Sequence, residues 1–207
     1  MEAAALCTLL APFVPPAELD DLLLNSIAVH LSLLVRWNQR MNLTALRTPE
    51  AMVERHFGES LFAARHLCPR NSQHELFDLG SGAGFPGLPI KYWAPSLQLT
   101  LIESHGKKAT FLREVGRALN LTGFSVLNVR AESLPQRAPL VTMRAVEHFE
   151  QALLAAASLV APGGRLALLI GEAQAERALS LLPPGSSTTI PLPSSHQRIL
   201  LTWQSPS

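Results

Sequence analysis

The stretch Leu76-Phe77-Asp78-Leu79-Gly80-Ser81-Gly82-Ala83-Gly84-Phe85-Pro86-Gly87 decides the fold. An apolar run of strand character enters a glycine-rich turn that opens a helix, where glycines permit a tight turn and close approach of backbone to a ligand. Downstream, the apolar runs 97–102, 124–129, 140–143 and 165–170 suit buried strands, and helical stretches separate most of them. Residues 106–119 form the clearest helix, the Ala/Leu-rich stretch 147–160 is expected to stop at Pro162-Gly163-Gly164, and a helix over 172–182 follows the fifth strand. Strand alternating with helix predicts an α/β fold with a doubly wound, mostly parallel sheet, because right-handed crossovers place helices on both faces. The tail breaks that alternation: 187–192 and 198–203 are two β-like runs joined by Pro193-Ser194-Ser195, read as an antiparallel hairpin at the sheet edge.

Upstream of the glycine-rich turn the period is helical. Across 16–40, Leu19, Leu22, Leu23, Ile27, Leu31, Leu34 and Trp37 recur at helical spacing, while Asp21, Asn25, Ser32 and Arg36 fall on another face. A second helix is expected to start at Thr48 as N-cap with Pro49 in its first turn, and to run through Val53 and Phe57 towards His66. Polar residues 69–75 end the pattern. The chain thus divides into an N-terminal helical extension, 1–70, and a sheet domain, 71–207.

Of the 207 residues 47% are hydrophobic and 16% charged, and the mean hydropathy is +0.18, which excludes a disordered chain or a coiled coil. Seventeen Lys and Arg against sixteen Asp and Glu leave a net charge of +1, so an anionic partner must be met by a local patch. Cys7 and Cys68 form neither a CxxC pair nor a metal-ligand spacing, which suits a reducing cytoplasm. The apolar start, 3–17, lacks the features of a signal peptide, since Glu2 replaces a basic n-region and prolines at 12, 15 and 16 interrupt the run. No membrane partner is expected: the longest apolar candidate, 22–35, is short and holds Asn25, Ser26, His30 and Ser32.

The turn can be read as GxGxxG at Gly82, Gly84 and Gly87, the pattern of a dinucleotide site. Two acids argue for another ligand. Asp78, two residues before Gly80, would repel a pyrophosphate but could accept from an ammonium group. Glu103, which closes the second strand about 20 residues on, is placed to accept from ribose hydroxyls. A cationic adenosine ligand, S-adenosylmethionine, satisfies both; NAD, and a glycine-rich turn with no ligand, stand as alternatives. Ala131 and Glu132 follow the third strand at the carboxyl edge, beside the expected adenine. Arg144 ends the fourth strand at the same edge and is expected to face the crevice, with a surface ion pair as the plainer reading.

Trp37-Asn38, Asn42-Leu43-Thr44, Glu54-Arg55-His56, Glu59-Ser60-Leu61, the run from Gly80 to Gly87, Glu103-Ser104-His105-Gly106-Lys107-Lys108-Ala109, Phe111-Leu112, Arg130-Ala131-Glu132 and Arg144-Ala145 together resemble the GidB family. Its members are bacterial small-subunit ribosomal RNA guanine-N7 methyltransferases, and the match runs in order from about residue 36 to 171. The resemblance implies a class I methyltransferase fold, Rossmann-like with a seven-stranded sheet and a helical extension. It also implies S-adenosylmethionine as donor, and N7 of a guanine in the 530-loop region of 16S rRNA as acceptor. Carried over by motif, Gly80, Ser81, Gly82, Gly84 and Phe85 line the methionine and adenosine moieties, Glu103 and Ser104 the ribose, Ala131 and Glu132 the adenine, and Arg144 the crevice beside donor and base. Asn42 and His56 belong to the family's N-terminal motifs and would face the acceptor; on the residues alone, Asn42 and Thr44 could simply cap a helix end or turn, and His56 could be a half-buried histidine with satisfied hydrogen bonds.

The chain departs from the family pattern at Met143, where a small residue is usual, at Ile170, where Lys is usual, at Glu147-His148, and in a tail without the usual terminal Lys. Arg36, Arg40, Arg47 and Arg55 in the extension, and Lys107, Lys108, Arg113 and Arg117 after Glu103, are the basic residues that could meet phosphate. The expected protein is a cytoplasmic, monomeric enzyme acting on 16S rRNA or the small ribosomal subunit. The rivals are a methyltransferase of a small molecule or protein, and a donor-binding RNA module without transfer.

Overall fold

Period-2 alternation along the central strand builds the molecule. In the computed structural model, which describes residues 1–144, 146, 148–195 and 197–206, seven strands form one sheet: β1 (Glu75–Leu79), β2 (Gln98–Ile102), β3 (Phe124–Leu127), β4 (Ala138–Arg144), β5 (Val160–Gly171), β6 (Ser186–Pro191) and β7 (Arg198–Gln204). Their order across the sheet is β3-β2-β1-β4-β5-β7-β6. All pairs are parallel except those of β7 with β5 and β6, so the expected C-terminal hairpin is present at the edge.

Side chains alternate between two apolar layers. Leu76, Leu99, Leu101, Leu140, Ala167, Leu169 and Leu200 join one core, while Phe77, Leu79, Ile102, Val141, Met143, Leu166, Leu168, Ile170, Ile199, Leu201 and Trp203 join the other. The first core is covered by α1 (Ala3–Leu10), α2 (Asp21–Met41), α4 (Glu59–Leu67), α5 (Gly87–Trp93) and α6 (Gly106–Ala118). The second lies under α7 (Phe149–Ser158) and α8 (Ala175–Leu181). The helical extension therefore has no core of its own; its Leu23, Ile27, Leu34 and Leu61 pack in the same layer as the sheet. No described helix is long and apolar enough to cross a membrane.

Several local expectations are corrected. The helix over 16–40 is a 3-10 turn, Pro16–Glu18, and then α2, whose N-cap Asp20 accepts from the Leu23 N–H at 2.8 Å. The apolar N-terminal run forms α1, burying Leu6 and Leu10, and Phe13 packs so closely that a Cβ at Gly58 would lie 2.5 Å from its ring. Thr48 caps α3 (Pro49–Met52) as read, but the helix then widens into a π-helical turn, Val53–Gly58, before α4. Such a turn inserts an extra residue and re-aims the side chains it carries, here Arg55 and His56. Val160 belongs to β5 rather than to α7: Pro162, Gly163 and Gly164 are absorbed as an irregularity between the pairs Ala138↔Val160 and Leu140↔Arg165. The α7 expectation began at Glu147, which lies outside the described residues together with Ala145, His196 and Ser207.

Candidate active site

The carboxyl ends of β1, β2 and β4 open on a cavity of about 580 Å³, a size suited to a small-molecule ligand. Gly80, Ser81, Gly82, Ala83 and Phe85 form one wall; Glu103, Ser104, His105 and Lys108 follow; Val129, Arg130, Ala131 and Glu132 close that end. Leu43, His56 and Arg144 line the other end, with Val146, His148 and Gln151 along the rim. Ten of the sequence-derived site residues thus meet in one cavity: His56, Gly80, Ser81, Gly82, Phe85, Glu103, Ser104, Ala131, Glu132 and Arg144. Three do not line it: Asn42, Asp78 and Gly84.

Asn42 is the exposed left-handed C-cap of α2, at φ 45°, so the capping alternative describes its place. Gly84, at φ +91°, faces Leu88 instead; a Cβ there would lie 2.3 Å from that side chain. Asp78 sits beneath the turn. Its register partner on β4 is Thr142, whose hydroxyl donates to Asp78 Oδ1 at 2.7 Å, and a Cβ on Gly87 would lie 2.7 Å from the Asp78 Cβ. Asp78 Oδ2 is buried without a hydrogen-bond partner among the described residues, and burial pushes the carboxyl up to about 6. The carboxylate lies beneath the turn and is not among the residues that line the cavity.

Glu103 does two things at once. Its Oε2 accepts from the Gly82 N–H and its Oε1 from the His105 N–H, each at 2.8 Å, so the acid ties the glycine-rich turn to the β2–α6 loop. Each oxygen retains lone pairs for a ligand's hydroxyl pair. Asn128, which sequence reading missed, donates to the carbonyls of Glu103 and Ser104 at 2.8 and 3.0 Å and holds this loop in place. Gly82 has φ +55°, and a Cβ there would meet nothing nearer than 3.8 Å. An adenosine with its cis-diol fits this end of the cavity: an acceptor pair on Glu103, a small-residue wall at Gly80 and Gly82, and an apolar patch at Ile102, Val129 and Ala131. Lys108 also lines this end, while Lys107 is exposed.

The other end is aromatic and basic. Phe85 lies between two imidazoles, 4.7 Å from His56 and 5.0 Å from His30, both nearly parallel to it. His56 Nε2 meets Thr44 Oγ1 at 2.7 Å, and its Nδ1 is buried without a partner among the described residues. Burial, reinforced by the fields of Arg144, Arg198 and Arg55, lowers His56 to about 2, so the ring is neutral. His30, fully buried on α2 and lowered by burial to about 3, bonds the Ala83 carbonyl at 2.9 Å and accepts from the Tyr92 hydroxyl at 3.1 Å. The extension thereby grips the glycine-rich turn directly.

Arg144 follows Asp78 and Thr142 on the face of the sheet covered by the extension, which explains its partners. Its Nη2 donates to the Arg55 carbonyl at 2.5 Å and to Glu59 Oε2 at 3.0 Å. Its Nη1 is buried without a partner among the described residues, and burial brings the guanidinium down to about 10. The surface-pair alternative is therefore set aside. Two departures from the family pattern fall elsewhere: Met143 and Ile170 are buried in the core under α7 and α8, not at the cavity.

A family model described as GidB, rRNA small subunit methyltransferase G, matches residues 23–181. The Ribosomal RNA small subunit methyltransferase G of Xylella fastidiosa (strain 9a5c) is 41% identical over 169 residues, 81% of this chain and 77% of that protein. The protein of the same name in Myxococcus xanthus (strain DK1622) is 37% identical over 155 residues, 72% of this chain and 70% of that one. Among solved structures, YcgJ of Bacillus subtilis aligns with TM-score 0.61 at 12% identity, covering 73% of this chain and all of that one. A ribosomal protein L11 methylase of Lactobacillus delbrueckii subsp. bulgaricus aligns with TM-score 0.60 at 11% identity, covering 73% and 80%. These structures share the fold, the class I methyltransferase arrangement expected from the sequence. With the family model covering most of the chain and relatives near 40% identity, the chain belongs to the GidB family, rRNA small subunit methyltransferase G.

Proposed function

We propose that this protein transfers a methyl group from S-adenosylmethionine to N7 of a guanine in the 530-loop region of 16S rRNA, acting as a cytoplasmic monomer on that RNA or on the small ribosomal subunit. The observation that carries the reading is a single cavity with an acid-held glycine turn at one end and a neutral histidine, a phenylalanine and a buried arginine at the other. Glu103 and Ser104 would hold the ribose, Ala131 and Glu132 the adenine, and Gly80, Ser81 and Gly82 the methionine moiety. The donor supplies a methyl group on a sulfonium, a leaving group that needs no activation.

The remaining chemistry is positioning. Guanine N7 has an in-plane lone pair and no proton to lose, so the site has to supply in-line approach and exclusion of water rather than a base. A histidine lowered to about 2 suits that requirement, since it stays uncharged and offers a flat face. A base entering this end would be extruded from the RNA and stacked against side chains, as base-modifying enzymes require. Arg144 Nη1, without a partner among the described residues, matches the O6 acceptor of guanine, leaving N7 free for transfer. The extension, 1–70, together with Arg144 of the sheet domain would serve the acceptor, and the rest of the sheet domain, 71–207, the donor.

The test is incubation with donor labelled in the methyl group and small-subunit particles lacking the modification. Label should enter 16S rRNA, and Arg144→Ala should lower transfer at least tenfold while leaving the donor Kd within about threefold. Label in protein or small molecules, or transfer indifferent to Arg144, would overturn the reading.

A further inference from the structure

Glu59 is approached by three guanidinium groups. Arg55 reaches its Oε1 at 3.1 Å from one helical turn away, while Arg144 and Arg198 each reach Oε2 at 3.0 Å. The carboxylate side chain is 1% exposed and that of Arg144 6%, whereas Arg198 is 17% exposed and Arg55 48%. The cluster therefore runs as a ramp from the buried end of the cavity to the surface, with His56, whose protonation all three arginines oppose, beside it. It unites distant parts of the chain: the π-helical turn, the end of β4 and the start of β7.

A structural ion pair needs one cation for one carboxylate. Here three positive charges meet one negative charge, and two are left without a counter-charge within the cluster. Holding unbalanced charge away from water is unfavourable unless an anion completes the arrangement. Arg55 meets Glu59 through its Nε and its side chain is 48% exposed, and planar guanidinium forks of this kind match the oxygens of a phosphate. Of the other basic residues that could meet phosphate, Arg36 is tied to Glu114 and Arg113 donates to the Val126 carbonyl.

We propose that Arg55 and Arg198, gathered with Arg144 on Glu59, form a binding site for an RNA phosphodiester that flanks the nucleotide whose base enters the cavity. This rests on the functional reading above. Glu59 fixes Arg55 and Arg198 so that the phosphate meets ordered forks rather than flexible cations, while Arg144 stays with the base.

The experiment uses short RNA stem-loops carrying the target guanine, in which single phosphodiesters on either side of it are replaced one at a time by neutral methylphosphonates. Binding is read by filter retention and transfer by methyl incorporation. With the wild-type protein, one neutral linkage should raise the RNA Kd about tenfold, whereas the others should not. In Arg55→Gln/Arg198→Gln that linkage should cost less than twofold, and the salt slope of RNA binding should fall by about 0.7, the value for one single-strand phosphate contact. The donor Kd should stay within twofold. A wild-type scan with no sensitive linkage overturns the site whether or not the double variant folds. A donor Kd weakened with RNA binding unchanged overturns it in favour of the donor's own carboxylate. Failure of transfer on unmodified RNA would count against the guanine reading instead, and the binding scan would still decide the phosphate site.

Discussion

Replacing Asp78 by asparagine isolates the cost of a buried charge beneath the glycine-rich turn. The carboxyl is pushed from its ordinary 3.8 up to about 6, with burial as the largest cause and Thr142 as its hydroxyl donor. Between those two values the folded protein holds a proton that the unfolded chain has released, so the contribution of Asp78 to stability falls as pH rises from about 4 through 6 and is level above that. Two units correspond to about 3 kcal/mol in total, of which about half accrues between pH 5 and pH 8. Asparagine cannot titrate. The stability of Asp78→Asn minus that of wild type should therefore rise by about 1 kcal/mol or more from pH 5 to pH 8. Every other titrating group cancels in that difference, as does any constant effect of the new amide. Urea unfolding followed by tryptophan fluorescence at both pH values measures it. A difference flat within about 0.3 kcal/mol, the usual additivity error, would refute the claim that Asp78 is ionised out of contact with water.

Glu103→Ala removes the acceptor for the Gly82 and His105 N–H groups as well as the expected ribose contact. Calorimetry should show donor binding weakened by about 1 to 3 kcal/mol, the scale of hydrogen bonds to a charged group, and Asp78→Asn should weaken it less; an unchanged Kd for Glu103→Ala would remove the ribose assignment. Both buried histidines must stay neutral in the fold while the unfolded chain protonates near 6.5, so stability is lost as pH falls below that value. Each should cost about 2 kcal/mol at pH 5, and His30→Gln should shed about half of that acid slope in the same unfolding assay. Single-turnover transfer, by contrast, should be level from pH 6 to 8. A tenfold rise per pH unit that disappears in His56→Ala would reveal a base and an acceptor that must be deprotonated.

Much of this architecture is legible in the chain because its signals are local. The alternation in β1, the glycine turn after it, Thr48 before Pro49 and the polar break before Glu75 are set by a few neighbouring residues each. The strand-to-strand repeat then leaves few topologies. Other features depended on contacts remote in sequence. His30 sits on the apolar stripe of α2 with Ile27 and Leu34, and nothing near it says that it meets Ala83 and Tyr92. The Glu59 cluster needs β7, more than a hundred residues away, to bring Arg198 to it. The spacing from Gly80 puts Asp78 beside the turn, but its side chain follows the strand's alternation into the layer shared with Thr142. The Pro162-Gly163-Gly164 signal looked like a helix stop because proline and glycine mark bulges and turns alike.

The central claim is methylation at guanine N7 of the small-subunit RNA. Ribosomal RNA from cells lacking this protein, incubated with protein and donor, reduced with borohydride and treated with aniline, breaks only where N7 carries a methyl group. Primer extension should then stop at one guanine in the 530-loop region of 16S rRNA, with no stop when Arg144→Ala replaces the wild-type protein. Methyl label in the RNA that resists cleavage, or a stop at scattered guanines, would contradict the account.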